Sequence, residues 1–311
     1  MNGATGIYDI IVIGGGPAGY TAALYGAREG RSVLIIEKAM AGGQMALTYE
    51  IENYPGFDEP TDGYVIAEKM KSAAEKFGAK SLRATVKSLS PFSDIKTLET
   101  SKGTFEARSV IISTGARPRL LGLDREEALT GMGVSYCAHC DAMFYKGKTV
   151  MVVGGGNTAA TDVLTLSRVA SKVYLVHRRD SLRASSIYRE KIEKAENIEF
   201  IPSSAVESLV GENKLEGAVI KNLKDGSARS ITLDGLFVSI GRIPETELFK
   251  DKLALDEHGY IVAAEDTKTS VDGVFAAGDV RTKELRQIVT AASDGAVAAH
   301  MANEYLDKQD L

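Results

Sequence analysis

Cysteine is almost missing from this 311-residue chain, which holds two, Cys137 and Cys140. Two cysteines cannot staple a disulfide-built secreted scaffold, and their scarcity in so long a chain points to a reducing compartment, read here as the cytoplasm. No second C-x-x-C exists to complete a tetrahedral zinc site. His139 lies inside the Cys137–Cys140 ring and can hardly join both sulfurs on one ion, so no metal is expected. Long apolar runs are lacking too. The nearest, from Ile10 to Ala27, is broken by Gly14-Gly15-Gly16-Pro17 and has no basic segment before it, which argues against a signal peptide. Nothing else approaches the length of a membrane span. Basic residues are not in excess: 37 Lys and Arg face 42 Asp and Glu, a net charge of −5. That argues against a general binder of nucleic acid or of membrane surfaces.

What is present is ordinary globular material, 44% hydrophobic and 25% charged, in a length suited to one large or two medium domains. Tyr8-Asp9-Ile10-Ile11-Val12-Ile13 reads as a buried parallel strand. It enters Gly14-x-Gly16-x-x-Gly19, a helix to about Glu29, and a second strand, Ser32 to Ile36, that ends on Glu37. Gly14 permits the tight turn, Gly16 lets the backbone approach a pyrophosphate, and Gly19 lets helix and strand pack closely. The helix N-terminus favours phosphate charge, and Glu37 can accept hydrogen bonds from ribose hydroxyls. Loops follow at Gly42-Gly43-Gln44 and Asn53-Tyr54-Pro55-Gly56, then an amphipathic helix from Gly63 to Phe77 and short strands and turns from Ser81 to Glu106. A buried strand, Ser109 to Ile112, stops at Ser113-Thr114-Gly115. Later come a short apolar strand in Gly273–Asp279 and a helical spacing from Arg286 to Leu306.

A second fingerprint, Gly154-x-Gly156-x-x-Ala159, begins 140 positions after Gly14 and follows a similar run, Lys148 to Val153. Glu37 has its counterpart in His177, followed by Arg178, Arg179 and Arg183. A carboxylate there would repel a 2′-phosphate, whereas arginines bind one through paired N–H donors. The first turn thus suits an adenosine with a free ribose and the second suits NADPH; the alternative for the arginines is a solvated charged face.

Cys137-Ala138-His139-Cys140-Asp141 lies just before that second fingerprint. Two cysteines at this spacing can close a disulfide ring and reopen it as a dithiol, exchanging two electrons with another disulfide. Two inert buried cysteines are the alternative. His139, close to both sulfurs, either tunes the couple by favouring the thiolate or merely completes the turn.

Together these residues resemble the low-molecular-weight, bacterial-type thioredoxin reductases of the pyridine nucleotide-disulfide oxidoreductase class. The likeness rests on Gly14 to Gly19, Gly42-Gly43-Gln44, Cys137-x-x-Cys140-Asp141, Gly154-x-Gly156-x-x-Ala159, His177-Arg178-Arg179-x-x-x-Arg183, Gly278-Asp279-Val280 and Arg286-Gln287, an ordered set covering nearly the whole chain. It implies an α/β fold of two dinucleotide-binding, Rossmann-like, three-layer domains. An FAD domain, residues 1–116 and 244–311, would be interrupted by an NADPH domain, residues 117–243, that carries the redox disulfide. FAD would be held by Gly14, Gly16, Pro17, Ala18, Gly19, Glu37, Lys38, Gly42, Gly43, Gln44, Asn53, Thr114, Gly115, Gly278, Asp279, Arg286, Gln287 and Ile288. NADPH would be held by Gly154, Gly156, Asn157, Thr158, His177, Arg178, Arg179 and Arg183. Cys140 would face the flavin, Cys137 would attack the partner disulfide, and Asp141 would be acid and base for the thiols if desolvation raises its pKa; a helix cap is its other reading.

The implied activity carries electrons from NADPH to FAD, to Cys137–Cys140 and to thioredoxin, with the two domains rotating between half-reactions, in a homodimer. The chain departs from the family pattern at Thr161, where a glutamate is frequent, at Ala142, where glycine is frequent, and at His139. Other readings of the same residues are a dithiol oxidase that passes electrons to oxygen, a reductase fed by ferredoxin, which the arginine set argues against, and a non-catalytic nucleotide sensor, which the intact C-x-x-C-Asp argues against.

Overall fold

The computed structural model describes residues 6–48 and 51–311. The chain forms two compact units, Met1–Arg117 with Ile243–Leu311, and Pro118–Arg242. The first unit opens with β1 (Tyr8–Ile13), whose four successive apolar residues are all buried, as a central parallel strand requires. α1 (Pro17–Arg28) follows, with proline at its first position, where a missing N–H costs nothing. β2 (Val33–Glu37) returns parallel to β1. α2 (Gly63–Lys76) starts at Asp62, whose carboxylate accepts from the Tyr64 N–H. β3 (Lys80–Arg83), β4 (Val86–Ser90), β5 (Lys96–Thr100) and β6 (Gly103–Ile112) extend the sheet in the order β3-β2-β1-β6-β5-β4. The chain leaves through β7 (Ala116–Pro118).

The second unit contains β8 (Val134–Ser135), α3 (Ala138–Asp141), β9 (Thr149–Val153), α4 (Asn157–Ser167), β10 (Lys172–Val176), α5 (Ser186–Lys194) and β11 (Ile198–Ile201). An antiparallel sheet of β12 (Ser204–Val210), β13 (Gly217–Asn222) and β14 (Ala228–Thr232) comes next, then β15 (Gly235–Val238). The main sheet, β11-β10-β9-β15-β8, is parallel throughout. The chain returns through β16 (Arg242–Pro244), which pairs with β7, and the first unit is finished by β17 (Val274–Ala276) beside β6 and by α6 (Ile288–Gln309).

Both units are three-layered because successive side chains of a strand face opposite ways. Along β1, Ile10 and Val12 pack with Ala22, Ala23, Ala298 and Ala299 of the helices, while Ile11 and Ile13 pack with Leu89, Leu98 and Phe249 on the other face. Along β9, Val150 and Val152 meet Ala160, Val163 and Leu166 of α4, while Met151 and Val153 meet Val206, Ile220 and Ile231 of the antiparallel layer. The fold is two Rossmann-like α/β domains, the second inserted in the first.

The glycine turns sit where chains touch. A Cβ on Gly14 would collide with the Ser113 carbonyl oxygen, and one on Gly19 with the Gly14 carbonyl oxygen. Three local expectations change. Gly42-Gly43-Gln44 leads into a single 3₁₀ turn, Gly43–Leu47, that buries Met45 against Ile51, Ile66 and Ala67. Ser109–Ile112 is the second half of the ten-residue β6, whose first half pairs antiparallel with β5. The last helix begins at Ile288 rather than Arg286, because the Gln287 N–H is taken by Thr290 Oγ1 at 3.1 Å and caps it there.

Candidate active site

In the second unit, Cys137 and Cys140 are joined by a disulfide with Cα atoms 5.3 Å apart. Cys137 caps the four-residue α3, and its carbonyl accepts from the N–H groups of Cys140 at 3.2 Å and Asp141 at 3.1 Å. Both cysteines are partly exposed. Asp141 closes the helix, and its carboxyl is pushed above the ordinary aspartate range by burial, with the Ser135 hydroxyl holding it down in part. Tyr145 beyond it is pushed up to about 12 by burial, with the charges of Asp141 and Asp234 adding to the effect. Its ring packs edge-on against Phe237.

The second glycine turn stands at the head of α4 in the same unit. The loop after β10 is strapped across it: the Arg183 N–H donates to the Gly155 carbonyl at 2.7 Å, and Asn157 Oδ1 accepts from the Ser185 N–H at 2.9 Å. His177 is buried beneath the turn, so close that a Cβ on Gly155 would strike its ring. Burial lowers its pKa, and the charges of Arg183, Arg179 and Arg178 lower it further. Arg178, Arg179 and Arg183 are exposed, and no carboxylate among the described residues pairs with them. Asp180, the nearest acid in sequence, is held by Lys224 at 2.8 Å and by the Ser203 hydroxyl. Thr158 sits in the first turn of α4.

The first unit gathers the other predicted residues. Gly16, Pro17, Ala18 and Gly19 form the entry to α1. Glu37 Oε2 accepts from the Gly15 N–H at 2.6 Å and Oε1 from the Ala39 N–H at 3.0 Å, which turns its carboxylate toward the glycine loop; Lys38 is exposed beside it. The Gly42 N–H donates to the Gly15 carbonyl at 2.7 Å, bringing Gly42 to the same loop, with Gly43 and Gln44 exposed. Asn53 Nδ2 donates to Gln287 Oε1 at 3.1 Å, joining residues 234 positions apart. Thr114 Oγ1 donates to the Glu245 carbonyl at 2.7 Å, and the Gly115 carbonyl accepts from the Glu245 N–H at 3.0 Å. Asp279 lies in the 3₁₀ turn Gly278–Val280, and Arg286 lies 4.1 Å over the Tyr260 ring. Ile288 opens α6.

The family model for pyridine nucleotide-disulphide oxidoreductases matches residues 8–295. The chain belongs to this family. It is 44% identical to a thioredoxin reductase of Peptoclostridium acidaminophilum, over 97% of this chain and 98% of the relative. It is 46% identical to a thioredoxin reductase of Listeria monocytogenes, over 97% and 95% respectively. Among solved structures, the thioredoxin reductase of Streptococcus pyogenes superposes with a TM-score of 0.91 at 42% identity, covering 97% of this chain and 99% of that one. The resemblance drawn from the ordered motifs therefore holds, and the protein is an oxidoreductase.

Family motifs did not single out the groups that support this disulfide. Ser135 binds both Asp141 and the Cys137 backbone. Asp162 on α4 lies 3.7 Å from His139 Nδ1, and its other oxygen accepts from the Ser239 hydroxyl at 2.5 Å. Burial raises the Asp162 pKa, with Ser239, His139 and Arg242 opposing. The Nδ1 side of the His139 ring thus faces a buried carboxylate of α4. Glu126, fully buried, accepts from the Leu121 and Gly122 N–H groups and from the Tyr136 hydroxyl, fixing the approach to Cys137. Asp162 has no sequence signature for its pairing, because His139 and Ser239 come from other elements, while the bonds of Ser135 and Glu126 are local and depend on how their turns close.

Proposed function

We propose that this protein is an NADPH-dependent thioredoxin-disulfide reductase in which Cys137–Cys140 carries the electrons to an oxidised thioredoxin. The observation that carries this reading is a partly exposed disulfide followed at once by a desolvated carboxylic acid, inside a domain with its own nucleotide turn. The first unit, with the glycine loop, Glu37, Asn53, Asp279, Arg286 and Gln287, is assigned to FAD. Its residues fit: Gly14 and Gly19 leave no side chain where the chains touch, and each Glu37 oxygen keeps a lone pair for a ribose hydroxyl beyond the backbone bond it accepts. The second unit is assigned to NADPH, since three exposed arginines, with no carboxylate partner among the described residues, stand beside its turn and suit a 2′-phosphate. Beneath them His177 is a floor for Gly155 more than a contact surface.

FAD and NADPH, when bound, supply the hydride chemistry. The chain's own residues do the rest. Asp141, whose hold on a proton burial strengthens, gives and takes the thiol proton. Cys140 is assigned to the flavin side and Cys137 to the attack on the partner. Met143 and Phe144, exposed just past Asp141, offer apolar surface to a protein partner. We further infer a cytoplasmic homodimer, in keeping with two cysteines that must be free to cycle; no helix among the described residues is long and apolar enough to cross a membrane.

The purified protein is expected to be yellow, to bleach anaerobically with NADPH, and to regain colour when oxidised thioredoxin is added. Cys137→Ser is expected to keep the bleaching by NADPH and to lose steady turnover with thioredoxin. Turnover with oxygen alone would point instead to a dithiol oxidase, failure of NADPH to bleach a bound flavin to another donor, and a colourless folded protein to a nucleotide sensor.

A further inference from the structure

Ser135 ends β8 and is buried. Its Oγ lies 3.1 Å from the Cys137 backbone nitrogen and 2.6 Å from Asp141 Oδ2. A hydroxyl has one proton and two lone pairs. The N–H can only donate, so Oγ accepts from Cys137 and gives its single proton to Oδ2. The attacking cysteine's backbone and the acid's carboxylate are therefore fastened to one buried atom.

We propose that Ser135 is a positioning residue that divides the work of the Asp141 carboxylate: Oδ2 stays bound to Ser135, and Oδ1 is the atom that takes and returns the thiol proton. This rests on the reading of the protein as a disulfide reductase with Asp141 as its acid and base. A proton on Oδ2 would force the buried hydroxyl to give up its bond as donor, whereas a proton on Oδ1 leaves both Ser135 bonds in place.

In the transfer to the partner, the Cys137 thiol loses its proton to Oδ1 and its sulfur bonds to one partner sulfur. The partner S–S bond breaks, and the leaving sulfur takes the proton back from Oδ1. Cys140 then loses its proton by the same route and closes on Cys137, releasing the second partner sulfur as a thiol. Two electrons and two protons pass from the enzyme dithiol to the partner. The other titratable groups around α3 are Tyr145 on the following turn, Asp234 before β15, and His139 with its partner Asp162 on α4, which is also under the charge of Arg242. Tyr145 stays protonated through neutral pH, so it does not compete for this proton.

The test uses the flavin-loaded protein, reduced and mixed with oxidised thioredoxin in single turnovers from pH 5 to pH 9. It also measures the Cys137–Cys140 midpoint potential over the same pH range in dithiothreitol buffers, a readout that needs no turnover. Removing a hydrogen bond that favours the ionised carboxylate moves the Asp141 titration to higher pH. Ser135→Ala is therefore expected to move the rising limb of the rate profile, and the matching bend in the potential, to higher pH, with about a tenfold loss of rate at pH 7. Ser135→Thr keeps the Oγ and is expected to restore both. In the Asp141→Asn background, Ser135→Ala is expected to move no bend and to add only the small loss from the freed Cys137 N–H, since the titrating carboxylate is already gone. An Ala variant with an unmoved bend, a loss equal at every pH, or a full extra loss in the Asp141→Asn background would each overturn the proposal. Wild-type protein that reduces no thioredoxin would sink the underlying function instead, and the potential measurement would still judge Ser135.

Discussion

Asp294→Ala is expected to destabilise the protein by about 3–5 kcal/mol, because it leaves two buried cations without their anion. Asp294 lies on the inner face of α6, where its carboxylate accepts both Nε and Nη2 of Arg281 at 2.8 Å, Lys283 Nζ at 2.8 Å and the Gly278 N–H at 2.9 Å. The side chains of Arg281 and Lys283 are only 4% and 7% exposed. Removing the carboxylate strands both charges and frees the Gly278–Val280 turn that carries Asp279. Burial alone would raise the Asp294 pKa, but the bonds from Arg281 and Lys283 outweigh it and the net shift is downward. A carboxyl depressed in the folded state stabilises above its unfolded pKa, about 3.9, and that contribution fades as pH falls through the folded value. Denaturant unfolding of the first unit, followed at pH 7 and at pH 3, should show a wide gap between wild type and Asp294→Ala at pH 7 that narrows in acid. A gap below about 1 kcal/mol at pH 7 would mean that water reaches the cluster and carries its charge.

The double substitution Arg178→Ala with Arg179→Ala is expected to weaken NADPH by about 10²- to 10⁴-fold and NADH by far less. Each lost charged hydrogen bond is worth about 1.5–3 kcal/mol, and only NADPH has the 2′-phosphate that receives it. The two side chains are exposed and have no carboxylate partner among the described residues, so they are poised for an outside anion and have little fold-stabilising work to lose. Anaerobic titration of flavin bleaching with each dinucleotide reads both affinities. Equal weakening of the two, or none, would return the arginines to a solvated charged face.

Much of this molecule was written in local sequence. Four apolar residues in β1 and the matching run in β9 can only be central strands, and a glycine turn followed by a proline- or asparagine-led helix stops each strand at a defined point. These features span a few residues, and their physics is steric and hydrophobic, so order along the chain was enough to place them. The C-x-x-C pair was equally legible, since three residues of separation put two sulfurs within bonding reach. The sequence did not reveal which way a polar side chain turns once its strand ends. His177 and Arg178 are neighbours, yet one lies under the glycine turn and the other faces solvent, because successive residues point to opposite sides and the space beneath Gly155 admits one ring. Nor did it reveal partners. Asp162 reaches His139 from another helix, Asp294 reaches Arg281 across a turn, and Ser135 reaches Asp141 from the end of a strand. A hydrogen bond needs two groups within about 3 Å, and only the packing of separate elements brings these pairs that close. Sequence by itself therefore determined the two domains, their turns and the redox pair, while tertiary structure decided which carboxylates and hydroxyls stand behind the sulfurs.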